Sequence, residues 1–203
     1  MRFRFGLRLA QFLAVGFLVA AGCGPTVRPV NGDGGAGAVV QDFYGRFGRQ
    51  KGLAFLSLFT DSACFDIKGL GVSFVDRADL VRLADYGAAV HSRLAGRELE
   101  VSKDTVRCRF DETNDWLELL GVKCASYDGW FLVSGARIAE ARVSLTPQSS
   151  DELGGKMAGF VTWLRNQDPK ALQRLFPGGR PAYDRNVVPE LISMLRQWQS
   201  RAR

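Results

Sequence analysis

An α+β fold with a mostly antiparallel sheet follows from three features of this 203-residue sequence. Apolar residues recur at helical spacing in the first half of the folded part, they alternate at strand spacing in the second half, and helical spacing returns after Pro147. Runs of helices followed by runs of strands favour α+β over an alternating parallel arrangement.

Residues 1–22 read as an export signal. Arg2, Arg4 and Arg8 precede an apolar run from Leu9 to Ala21, broken only by Gln11, and the small residues Ala20, Ala21 and Gly22 lead to Cys23. The run is short for a membrane-spanning helix and ends in small residues, as a cleavable signal does. Small side chains before a cysteine resemble a lipobox, which implies a diacylglyceryl group on Cys23 and a membrane-anchored protein outside the cytoplasm. Ala20 stands where such signals usually carry Leu. Ordinary signal cleavage and a retained anchor helix are the alternatives. Gly24 follows the cysteine where inner-membrane retention signals carry Asp, so the resemblance implies sorting to the outer membrane in a Gram-negative cell. Residues 23–37, rich in Gly and Pro after the cysteine, form a flexible tether.

The folded domain is expected over residues 38–147. Val39, Val40, Phe43 and Phe47 mark a helix, and Leu53, Leu56 and Phe59 a second one. Ala63, Phe65 and Ile67 alternate with Cys64, Asp66 and Lys68 in a short strand. Asp76 caps a long helix that contains Leu80, Leu83, Ala84, Val90 and Leu94, with His91 on it. Leu99 and Val101 suggest a strand, and Val106, Cys108 and Phe110 a clear half-buried one. Asn114 caps a helical turn through Leu120, which Gly121 ends. Strands over 124–133 and 137–145 are joined at Ser134-Gly135. In the extension, residues 148–203, Ser149 and Glu152 have capping-box spacing. Asp168-Pro169 starts a second helix, and Asn186 a third that carries Leu191, Leu195 and Trp198. Its apolar stripe is core packed on the domain, or alternatively a lid over a pocket or a dimer contact.

The segments VVQDFYGRF, LAFLSLFTDSACFDIKG and DTVRCRFDETNDWLELLG, with the hairpin that follows, resemble the nuclear-transport-factor-2-like superfamily, which includes ketosteroid isomerases and SnoaL-type cyclases. The resemblance covers a little over half the chain. It implies a curved sheet wrapped by helices into a cone, with an apolar pocket at the open end. Ketosteroid isomerases use a carboxylate base, a tyrosine and a protonated acid in that pocket. Counting along the motifs places Phe43 at the tyrosine position, beside Tyr44. Ile67 takes the base position, with Asp66 one residue short, and Asp128 falls near that of the third acid. Asp66 and Asp128 are therefore the catalytic candidates, each with a solvated surface carboxylate as the plain alternative. Phe43, Tyr44, Tyr127, Trp130 and Phe131 are the candidate ligand-binding residues.

The dense run Asp111, Glu112, Asn114 and Asp115 places a carboxylate at the cone mouth, or else solvates a strand end and caps a helix. His91 is the one histidine and has no Gly-x-Ser-x-Gly elbow beside it. Without paired histidines or a Cys-x-x-Cys, no metal site and no cofactor are expected. Cys108 and Cys124 stand on consecutive strands, where a cross-strand disulfide is conceivable, and Cys64 is left as a buried thiol. Formal charge is +6, and Arg2, Arg4 and Arg8 of the signal account for half of it. With no basic stripe interleaved with aromatics, no nucleic-acid partner is expected. Three functions remain open: a noncatalytic binder of a small apolar or amphipathic ligand, an isomerase- or cyclase-type enzyme, or an envelope interaction module, with a homodimer compatible with each.

Overall fold

The computed structural model describes residues 35–49 and 52–201. The signal segment, Cys23 and the tether up to residue 34 lie outside the described residues. Helix α1 (Ala36–Arg46) begins two residues before the domain start expected at residue 38. It buries Val40, Phe43 and Tyr44, which share one face because residues three or four apart lie together on a helix. Helix α2 (Gly52–Leu56) is a single turn, and Phe59 opens strand β1 (Phe59–Lys68) instead of extending that helix. A three-residue strand, β2 (Val72–Phe74), folds back on β1 and was too short to leave a periodic signal.

Helix α3 (Arg77–Ala89) is capped by Asp76, whose carboxylate accepts from the Asp79 amide at 2.7 Å. The helix stops before His91, which is exposed and has a φ of 52°, and Leu94 lies in strand β3 (Arg93–Ser102). The expected helical placement of both residues is thus corrected by the left-handed turn that ends α3. Strand β4 (Thr105–Thr113) leads to helix α4 (Asp115–Leu120), with Asn114 as its cap and Gly121 at a φ of 75° closing it. Only glycine takes that left-handed conformation at no steric cost. Asn114 Oδ1 accepts from the Leu117 amide at 2.9 Å. Asn114→Ala is expected to cost about 1 kcal/mol, read as a lower urea midpoint with an unchanged slope.

Strands β5 (Ala125–Ser134) and β6 (Arg137–Leu145) form the hairpin. The six strands run in the order β2-β1-β6-β5-β4-β3, and only β1 and β6 pair in parallel. The molecule is α+β, with a mostly antiparallel sheet covered on its inner face by the first helices. Pairing register assigns the two faces. Phe65 sits opposite Ala141, Ala141 opposite Phe131, Tyr127 opposite Phe110, and these five residues are buried. Their alternating neighbours Asp66, Arg142, Trp130, Asp128 and Arg109 take the other face, since successive strand side chains point oppositely.

The extension consists of α5 (Pro147–Gln167), α6 (Pro169–Leu175), two single-turn 3₁₀ segments and α7 (Val188–Arg201). Thr146, not Ser149, caps α5, because Pro147 already occupies the first helical position. The Ser149 hydroxyl instead accepts from the Ser126 amide at 2.9 Å, tying α5 to β5. Asp168 caps α6 as expected, accepting from the amides of Lys170 and Ala171. Phe160, Leu164 and Leu195 are fully buried and belong to the same apolar core as Phe43 and Phe131. The extension is therefore continuous with the domain interior. Among the described residues, no helix is long and apolar enough to cross a membrane.

Candidate functional site

Two segments close the mouth of the cone. One is the end of β4, where Glu112 follows Val106, Cys108 and Phe110 on the inner face. The other is the loop between α6 and α7, which carries Tyr183 to the opposite rim. The Tyr183 ring packs edge-on against Phe74 at 5.7 Å and against Tyr86 of α3 at 5.0 Å between centroids. Arg180 Nη1 donates to the Gly71 carbonyl at 2.8 Å, and Arg185 pairs with Asp85 at 3.6 Å, so the loop is held at both ends.

Beneath Tyr183 lies a cavity of about 50 Å³, lined by Phe43, Phe47, Phe65, Ile67, Leu83, Tyr86, Leu94, Phe110, Glu112, Trp116, Tyr127, Val143 and Tyr183. Glu112 is the one acidic residue of this lining, which contains no Lys, Arg or His. Its Oε1 accepts from the Asn114 amide group at 3.0 Å and from the hydroxyl of the fully buried Ser92. Its Oε2 accepts from the Tyr127 hydroxyl at 3.0 Å. Burial pushes the Tyr86, Tyr127 and Tyr183 hydroxyls above the ordinary phenol value, and the nearby Glu112 carboxylate adds to the rise. These phenols therefore stay protonated and act as neutral donors or acceptors.

The acidic run of the sequence splits by strand alternation. Asp111 faces away from the cavity and is buried against Arg97 and Ser126, whose hydroxyl donates to it at 2.6 Å. Asp115 lies on α4 and meets His91 Nδ1 at 2.7 Å near the surface. Only Glu112 reaches the interior.

Of the residues singled out in the sequence, Phe43 and Tyr127 line the cavity. Ile67, at the counted base position, lines it too. Asp66 and Asp128 do not come near it. Asp66 is one strand residue from Ile67 and so points to the opposite face, where it accepts from the Ser73 hydroxyl at 2.6 Å. Asp128 is exposed there and binds Arg109 at 3.0 Å. Trp130 lies on that same outer face under the Arg142 guanidinium, 5.0 Å from its ring, rather than in the cone. Phe131 is fully buried against Phe43 but does not reach the open space. Tyr44 packs on Phe110 beside Cys108, and its burial pushes the phenol far above its ordinary value. Tyr86, Tyr183, Ser92 and Trp116 join the site without having been singled out, since each is distant in sequence from the others.

Cys64 and Cys108 are free thiols, so the conceivable bridge between Cys108 and Cys124 is not made. Cys108 stands opposite Gly129, and a Cβ there would lie 2.8 Å from its sulfur. The cysteine thus occupies the space that a glycine leaves, and burial pushes its thiol up to about 11. Among the described residues no group of three or more His, Cys, Asp or Glu gathers as metal ligands.

No family model matches the chain, and no curated protein does. Several solved structures are similar in outline. A candidate ketosteroid isomerase from Kribbella flavida superposes with a TM-score of 0.46 at 11% identity, over 55% of this chain and 77% of its own. A candidate polyketide cyclase from Streptomyces antibioticus gives 0.46 at 17% identity, over 58% of this chain and 96% of its own. A nuclear-transport-factor-2-like protein of unknown function from Cytophaga hutchinsonii gives 0.43 at 11% identity, over 54% and 88%. At these scores the likeness is one of outline, and no activity is taken from it.

Proposed function

We propose that this chain is a lipid-anchored protein of the cell envelope whose SnoaL-like cone binds a small apolar or amphipathic ligand without transforming it. The observation that carries this reading is the cavity beneath Tyr183, with mainly apolar and aromatic walls and one carboxylate that already accepts three hydrogen bonds. Ser92, Asn114 and Tyr127 take three of the roughly four acceptor positions of this carboxylate, which leaves one for a donor on a ligand and suits recognition. The space of about 50 Å³ restricts the ligand to a few heavy atoms. The anchor rests on residues 1–23 and Cys23.

The test is native mass spectrometry of the full-length protein recovered from its host membrane. The expected result is a diacylglyceryl mass on Cys23, together with a small molecule that leaves on denaturation. An unlipidated chain removes the anchor. An empty monomer removes the binding reading, and an empty dimer shifts the assignment to an assembly module.

The pairing of Glu112 with Tyr127 inside the cavity favours a second reading, an isomerase- or cyclase-type enzyme with Glu112 as base and Tyr127 as donor to the oxyanion. It predicts that the protein accelerates exchange of the α-protons of a small ketone in deuterated water. It also predicts that Glu112→Gln abolishes the exchange. Exchange at the uncatalysed rate with wild-type protein excludes that chemistry for the ketone tested.

A further inference from the structure

Glu112 presents a charge to the cavity that the cavity does not balance. Its partners are the neutral donors Ser92, Asn114 and Tyr127, and no ion pair with it is found among the described residues. A carboxylate offers about four acceptor positions. Ser92 and Asn114 take two on Oε1 and Tyr127 takes one on Oε2, which leaves one on Oε2. Glu112 is half-buried, and a carboxylate partly withdrawn from water without a counter-charge gains from a cationic partner more than neutral donors supply.

The walls add a second preference. Phe47, Phe65, Phe110, Trp116, Tyr86 and Tyr183 surround the space. Aromatic faces carry negative potential and attract a cation within about 6 Å, most strongly where water is excluded. Size adds a third. The space of about 50 Å³ restricts the guest to a compact ion of a few heavy atoms.

We propose that the inner cavity binds a small alkylammonium ion of the size of trimethylammonium. Its N–H donates to Glu112 Oε2 and its methyl groups rest against the aromatic walls. The inference rests on the binding reading above and narrows it, replacing a generally apolar ligand by a compact cation. Tyr183 lines the same space, so the guest is partly screened from water and the charge-assisted hydrogen bond is strengthened.

The test is isothermal titration calorimetry on the full-length protein in a non-ionic detergent. Trimethylammonium chloride is compared with tert-butyl alcohol, a neutral molecule of similar size, with sodium chloride as the ionic-strength control. The cation is expected to bind at least about tenfold more tightly than the alcohol, and Glu112→Gln is expected to remove that margin. If the alcohol binds as well as the cation, the charge argument is overturned while the binding reading stands. If neither binds and the native protein carries a different adduct, the cation inference alone is overturned. If neither binds and the native protein is empty, both readings are overturned. Undiminished cation binding by a folded Glu112→Gln variant also overturns the proposal. Should that variant not fold, the comparison of the two probes on wild-type protein decides.

Discussion

Phe43→Ala is expected to lower stability by about 3–5 kcal/mol, the range for removing a fully buried aromatic ring from a core that relaxes only in part. Phe43 is 1% exposed and lies at the meeting point of α1 and the sheet. Its ring has six aromatic neighbours, from Phe131 at 5.5 Å to Phe59 at 6.3 Å between centroids. They come from four different elements and the loop after α1, so no single movement refills the space. The neighbours are large rings with few alternative rotamers, which places the cost towards the upper end. Phe43 also lines the inner cavity, so its removal enlarges the open space beside Glu112. Urea unfolding should show a lower midpoint with an unchanged slope. A loss below about 1.5 kcal/mol would mean that the core collapses around the site, against the close packing described above.

The class of this fold was legible because periodicity is a local property. The alternation of Val106, Cys108 and Phe110 with charged residues needs only consecutive positions to be read, and β4 follows it. Strand β2 is not legible because three residues carry no period, and Phe59 reads as helical because its spacing of three from Leu56 matches a helix turn, although it opens β1. The site was less legible. Glu112 stood in a run of four polar residues, and only the register of β4 against β5 separates it from Asp111. Its partner Ser92 lies twenty residues away on the turn after α3, and Tyr183 lies beyond the hairpin in the extension. Such contacts are made by topology and leave no pattern along the chain. Ile67 lines the cavity, and the one-residue step along the strand sends the Asp66 carboxylate to the outer face.

Truncation after residue 147 is expected to abolish cooperative unfolding altogether. An appendage on a finished domain shares no core with it, whereas the buried residues of this extension do. Leu153, Phe160, Leu164, Leu175, Leu191 and Leu195 belong to one continuous core with Phe43, Leu117 and Leu120. Burying each such side chain contributes about 1.5–3 kcal/mol. Six of them together are comparable with the whole stability of an ordinary domain, about 5–15 kcal/mol. Cutting the chain there also strips cover from α4 and from Phe74, which the extension contacts through α7 and Tyr183. The shortened protein should bind an apolar dye, lose its near-ultraviolet circular dichroism and melt without a transition. Tyr183→Ala in the full chain separates the two roles of this region. It leaves the leucine and phenylalanine contacts of α5 and α7 in place, so the fold should persist. It removes only the ring over the mouth, so a guest in the cavity should dissociate faster. A truncated chain that stays monomeric and unfolds cooperatively would show that the cone holds itself together. The helices of α5 to α7 would then serve as a cover and nothing more.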